Sequence, residues 1–120
     1  MYTLNDINFI LEKLSKSKFR SSFHLKEREL LYIKNKGFDI IEKHAFDFID
    51  TRLKPCNLKN DGSQTPYHGH PVFVAQHATA TCCRGCLNKW YKIPKDRNLN
   101  NEEVNFIIKL IMSWIKKEYK

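Results

Sequence analysis

The sequence predicts a mainly α single-domain protein, and three observations support this. Its 120 residues fit the ~100–200 residues of one domain. A hydrophobic content of 42% beside 28% charged residues is enough for a core. Apolar residues also recur at three- and four-residue steps along most of the chain. We therefore expect one domain over residues 1–120, a compact bundle of about five helices with a long central loop that carries a Cys/His cluster.

The N-terminal half contains the first three predicted helices. The apolar spacing predicts helices over residues 3–14, 26–36 and 38–53, with an ordered basic loop over 16–24. Gly37 stands where a left-handed C-terminal cap is common, so it ends the second helix. Lys54-Pro55 ends the third, because proline cannot continue a helix.

The C-terminal half is less regular. Residues 55–71 are rich in Pro, Gly and Asn, which predicts a long loop of tight turns. Residues 72–75 fit a short strand or a helical turn, of which we favour the helix. A further helix is predicted over 81–91, closed by Ile93-Pro94. Asn100-Asn101-Glu102-Glu103 resembles a capping box and begins the last helix, whose apolar stripe runs to Ile115.

Charge and hydropathy exclude several classes of protein. The formal net charge is +8 and the pI about 9.4, with an apolar content too high for a disordered tail. No apolar run reaches the ~20 residues of a membrane span, so we expect no membrane-spanning segment. The N-terminus has no basic region followed by an apolar one, and a cytoplasmic protein is expected.

Potential metal ligands concentrate in one segment. His68, His70, His77, Cys82, Cys83 and Cys86 fall within nineteen residues. Without an export signal, such a cluster is more typical of a metal or catalytic site than of a disulfide framework. Thiolate and imidazole together suit tetrahedral zinc. We expect a zinc-type site of Cys83, Cys86, His77 and one of Cys82 or His70, with His68 and Cys56 as further candidates.

Two other interpretations of the same residues stay open. The cysteines are also compatible with small hydrophobic residues packed at a helix interface. Alternatively, one thiol acts as a nucleophile or redox group, in an enzyme for a nucleotide or phosphorylated substrate with His77 as acid/base and Arg84 as electrostatic clamp. A zinc deaminase is not indicated, because Thr79 stands in the position of its catalytic Glu.

The basic residues suggest an anionic partner. Thr79, Thr81 and Arg84 beside a helix N-terminus could bind a phosphate or carboxylate, although the threonines are also ordinary capping residues. The candidate nucleic-acid or anion residues are Lys18, Arg20, Thr79, Thr81, Arg84, Lys89, Trp90 and Lys95. Basic groups among aromatics can bind phosphates and stack on bases, but a solvated lysine-rich surface gives the same pattern. The candidate partners are therefore nucleic acid, a nucleotide or an acidic protein. An acidic protein partner would make this chain an inhibitor or adaptor.

Several motifs together carry a family resemblance. They are Ser17-Lys18-Phe19-Arg20 with Phe23-His24-Leu25, Asp61-Gly62 with Gln64-Thr65-Pro66, Gly69-His70-Pro71-Val72-Phe73, the block from Ala75 to Leu87, Lys89-Trp90 and Ile93-Pro94-Lys95. Over about residues 17–117 the chain resembles the small proteins grouped as domain of unknown function family 4186. The resemblance implies a single compact domain of bacteria or their phages, with no established activity. A His commonly follows the Trp in that family, where this chain has Tyr91, and the departure weakens a zinc set that would include it.

Overall fold

The longest helix lies at the centre of the fold. A computed structural model describes residues 4–56 and 61–119, and over these ranges it contains six α-helices and no strand. The helices are α1 (Leu4–Ser15), α2 (Glu27–Lys36), α3 (Phe38–Arg52), α4 (Pro71–Ala78), α5 (Arg84–Tyr91) and α6 (Asn101–Glu118). The mainly α prediction is confirmed. None of the helices in these ranges is long and apolar enough to cross a bilayer.

Helix α6 begins at the predicted capping box. The Asn100 side chain accepts the backbone N–H of Glu103 at 2.8 Å, and the Glu103 carboxylate accepts that of Asn100 at 2.9 Å. These bonds satisfy backbone donors that the first turn leaves free. The apolar face of α6 is buried from Phe106 to Ile115 and packs against α1, α3 and α4. The buried face of α6 is therefore the surface against which α1, α3 and α4 pack.

The N-terminal helices agree with the predicted ones. Helices α1, α2 and α3 occupy the predicted segments, and Gly37 separates the last two with a φ of 85°. The predicted start at Thr3 lies outside the described residues. The basic loop after α1 is ordered and includes a short 3₁₀ helix over Arg20–Ser22. That turn buries the side chain of Arg20, which is 8% exposed.

Helix α4 extends the short helix predicted at residues 72–75. Pro71 occupies its first turn, where a missing N–H costs nothing, and the His70 side chain accepts the N–H of Val72 at 3.0 Å. Seven of its eight residues are buried. A wholly buried helix lacks an amphipathic pattern, so sequence periodicity could not separate it from a strand.

Helix α5 begins later than the predicted Thr81 because a tight turn follows α4. Thr81 N–H donates to Gln76 C=O at 2.8 Å and Ala80 N–H to His77 C=O at 3.5 Å. With Ala80 in the left-handed region, at a φ of 58°, this is a Schellman motif with alanine where glycine is usual. Cys83 then caps α5. The turn places Cys82 and Cys83 beside the end of α4.

We predict that His70 makes folding stability depend on acid pH. Burial, and then the neighbouring His44, lower the pKa of His70 from 6.5 to about 4. The unfolded chain therefore takes up the proton first, and stability present above pH 6.5 is lost as the pH falls towards 4. The measurement is the free energy of unfolding in urea between about pH 7 and about pH 5.

The matched variant is His70→Asn. Asparagine can accept the Val72 N–H as a cap but does not titrate, so its stability should change less over the same pH range. An equal pH dependence in the two proteins would show that the proton is taken up elsewhere.

Candidate metal centre

The sulfur atoms of Cys82, Cys83 and Cys86 lie together at the N-terminus of α5. All three lie within 4.8 Å of one another. The Cys82 thiol donates to Cys86 Sγ at 3.6 Å, and the backbone N–H of Cys86 donates to Cys83 Sγ at 3.3 Å. Cys82 and Cys83 are 7% exposed, whereas Cys86 is only partly buried. These three residues therefore form a cluster that could hold a metal ion.

Arg20 closes one side of the three-cysteine cluster. Its guanidinium donates through Nη2 to Cys86 Sγ at 3.2 Å and through Nη1 to Cys82 Sγ at 3.7 Å. The same Nη1 donates to the His77 carbonyl at 2.8 Å, which holds the guanidinium in place. A fixed positive charge beside sulfur favours the thiolate over the thiol. Arg20 thus favours the thiolate form of the cysteines, which is the form that binds a metal ion.

Proton sharing makes the three thiols unequal. Hydrogen bonds from Cys82 and Cys83 lower the pKa of Cys86, and Arg20 lowers it further. Hydrogen bonds with Cys83 and Cys86, together with burial, raise the pKa of Cys82. These shifts make Cys86 the most acidic of the three thiols and Cys82 less acidic than an ordinary cysteine. Binding of a metal ion would release the remaining protons.

His77 lies beside the cluster but serves a neighbouring loop. Its Nε2 pairs with the Thr65 carbonyl at 3.0 Å, and because a carbonyl only accepts, this nitrogen carries the proton. Its ring stacks on Tyr67 at 4.2 Å and is 3% exposed. Burial is the main cause that lowers the pKa of His77. The imidazole is therefore neutral at neutral pH, and His77 is not one of the three clustered ligands.

Arg84 is engaged within the protein. Its guanidinium donates to five carbonyl groups, those of Leu53, Lys54, Pro55, Pro94 and Arg97. The side chain is 2% exposed. Asp61 accepts the N–H groups of Arg84 and Gly85, at 2.8 and 2.9 Å, so a carboxylate of the chain itself occupies the N-terminus of α5. Asp61 thus binds the N–H groups at the helix terminus where the sequence predicts a phosphate or carboxylate ligand.

The other predicted ligands lie apart from the cluster. His70 pairs through Nε2 with His44 at 3.1 Å and through Nδ1 with Val72 N–H. The backbone N–H of Cys56 binds Asn98, and His68 is exposed. Of the expected set, Cys82, Cys83 and Cys86 come together, whereas His70 does not join them.

The residues predicted to bind an anion fall into two groups. Arg20, Thr79, Thr81 and Arg84 are buried. The two threonine hydroxyls bind each other at 2.9 Å, and Thr79 also donates to Ala75 C=O. Lys18, Lys89 and Lys95 are exposed, and Trp90 is partly buried. Only the second group offers side chains to a large partner, and an anionic partner stays a prediction.

Sequence reasoning did not identify three residues that build the site. The sequence pattern places Arg20 among the anion-binding candidates of a basic surface, and it indicates no site role for Asp61 or Thr65. The Thr65 hydroxyl donates to the Cys82 carbonyl at 2.7 Å and its carbonyl binds His77. Each acts across more than ten residues of sequence, and no local spacing signals such a contact. A buried charge beside thiols is visible only in the folded chain.

Fold and site define a small α-helical protein with a buried three-cysteine cluster at a helix N-terminus. The family model described as domain of unknown function (DUF4186) matches residues 8–116. The chain therefore belongs to the DUF4186 family, as the resemblance of its motifs predicts. No solved structure matches the chain.

We predict that Arg84 stabilises the fold. Arg84→Met removes five hydrogen bonds and takes the arginine donor from the buried carbonyl of Leu53, which should lower the free energy of unfolding by about 3–5 kcal/mol. Urea unfolding followed by circular dichroism measures it. Arg28→Met, at an exposed arginine, is the control and should change stability by less than about 0.5 kcal/mol. Unchanged stability in Arg84→Met would instead favour a role as an anion clamp.

Proposed function

We propose that this protein binds a thiophilic metal ion, with zinc as the expected ion, through Cys82, Cys83 and Cys86. The observation that carries the proposal is the mutual approach of the three sulfur atoms to within 4.8 Å. In a tetrahedral zinc–thiolate centre with bonds of about 2.3 Å, neighbouring sulfurs are ~3.8 Å apart. The 3.6 Å between Cys82 and Cys86 is close to this separation, so binding needs little movement there.

The local chemistry also favours a metal over inert packing. Apolar packing of cysteines needs no charge, yet a buried guanidinium donates to two of the sulfurs. Burying Arg20 is costly unless an anion compensates it. Thiolates compensate that charge, and they are also the form that binds zinc.

The first prediction for this function concerns metal content. Protein purified without a tag should carry about one zinc per chain by elemental analysis, and the thiols of Cys82, Cys83 and Cys86 should react only after chelation. Replacement of Cys82, Cys83 or Cys86 by serine should abolish the bound zinc. Cys56→Ser is the control, because Cys56 lies outside the cluster. Four freely reactive thiols without metal would contradict the proposal.

The second prediction concerns Arg20. Arg20→Met should weaken zinc affinity by about 10–100-fold at neutral pH, because without the guanidinium the thiols hold their protons more tightly and zinc must displace them. Arg20→Lys should restore part of the loss. Competition with a chromogenic chelator at neutral pH measures the affinity, with Arg28→Met as control. Equal affinities in Arg20→Met and Arg20→Lys would show that charge is not what Arg20 contributes.

The partner and any reaction stay predictions. A formal charge of +8 and the exposed Lys18, Lys89 and Lys95 support an anionic partner, either nucleic acid or an acidic protein surface. The enzyme alternative, with His77 as acid/base, would have to use an imidazole that is buried and bonded to Thr65.

A further inference from the structure

The cluster has three protein donors, and the other candidates for a fourth are committed elsewhere. In residues 4–56 and 61–119, the only group of three or more potential ligands close enough for one metal ion is Cys82, Cys83 and Cys86. The nearby His77 is held by the Thr65 carbonyl and stacked on Tyr67. Residues 1–3, 57–60 and 120 contain no Cys, His, Asp or Glu. The side chains that usually ligate zinc thus supply three donors here.

The charges around the cluster limit the ion and its remaining ligand. Three thiolates carry a charge of −3, and the guanidinium of Arg20 beside them carries +1. The Asp61 carboxylate at the same helix N-terminus is balanced by the buried guanidinium of Arg84. A divalent ion brings the total to zero. A further anionic ligand would leave an unpaired negative charge in a largely buried site, which is costly. The balance therefore favours a divalent ion whose fourth ligand is neutral.

The exposure of the cysteines indicates where such a ligand can enter. Cys82 and Cys83 are 7% exposed and Arg20 is 8% exposed, so protein covers their side of the cluster. Cys86 is only partly buried. Of the three cysteines, Cys86 is thus the one through which a ligand from solution can approach the cluster.

We propose that the metal ion held here keeps an open fourth position that takes a neutral donor from solution. The ligand class is an uncharged donor, with water as the ligand in the resting state and imidazole as the probe that exchanges with it. The inference rests on the metal-binding function proposed above. A zinc site with three protein ligands and an exchangeable fourth is the arrangement of catalytic zinc, whereas structural zinc is closed by four protein ligands.

Cobalt(II) in place of zinc provides the test on the full chain. Its visible bands report coordination number and ligand type. Titration with imidazole should shift the bands in a saturable way while dialysis and elemental analysis show that cobalt stays bound. Bands that do not respond, or cobalt released by imidazole, would overturn the open position. A protein that binds neither cobalt nor zinc would instead overturn the metal-binding function itself.

Two further experiments test whether His77 occupies the fourth position and whether the site prefers a neutral ligand. His77→Gln removes the one imidazole beside the cluster. If this variant responds to imidazole and the unmodified protein does not, His77 closes the site and the proposal is wrong. Azide tests the charge argument and should bind at least about tenfold more weakly than imidazole, since it adds a negative charge. Azide binding as tight as that of imidazole would overturn the preference for a neutral ligand.

Discussion

The buried guanidinium of Arg84 is the contact on which the arrangement of the site depends. It donates five hydrogen bonds, which join the carbonyls after α3 to those after α5. These segments are distant in sequence and share no regular hydrogen-bond ladder. Because Arg84 is also the first residue of α5, whatever fixes its side chain fixes the start of that helix. The neighbouring Cys83 and Cys86 are positioned as a result.

A second arginine completes the site from the opposite end of the chain. Arg20 lies in the short turn after α1. Its guanidinium contacts the sulfurs of Cys82 and Cys86 and the carbonyl of His77, in the last turn of α4. A charge buried to this extent is stable only beside compensating groups, and the cysteine sulfurs are the groups in contact with Arg20 that can carry a negative charge. The two arginines therefore have different parts. Arg84 binds backbone and shapes the scaffold, whereas Arg20 binds sulfur and sets the charge of the cluster.

The histidines show why ligand-type residues do not by themselves make a metal site. His70 caps α4 through one nitrogen and contacts His44 through the other. His77 donates to a loop carbonyl and stacks against Tyr67. Both rings are neutral at neutral pH and hydrogen-bonded to neighbouring protein groups, which is how a buried imidazole is usually stabilised. The cysteines have no comparable set of partners and gather with each other and with Arg20.

The sequence by itself determined the helical class, the approximate helix limits and the segment that carries the cysteines. Helical periodicity, capping signals at Asn100 and Gly37, and ligand spacing all act over a few residues, so they can be seen in one dimension. Tertiary contacts decide where α5 begins and that Cys82, not a histidine, joins Cys83 and Cys86. They also decide the roles of Arg20, Arg84 and Asp61. The Schellman turn at Ala80 lacks its usual glycine, and the arginine contacts span up to 66 residues. Long-range burial decides which charges meet, and no local pattern encodes that outcome.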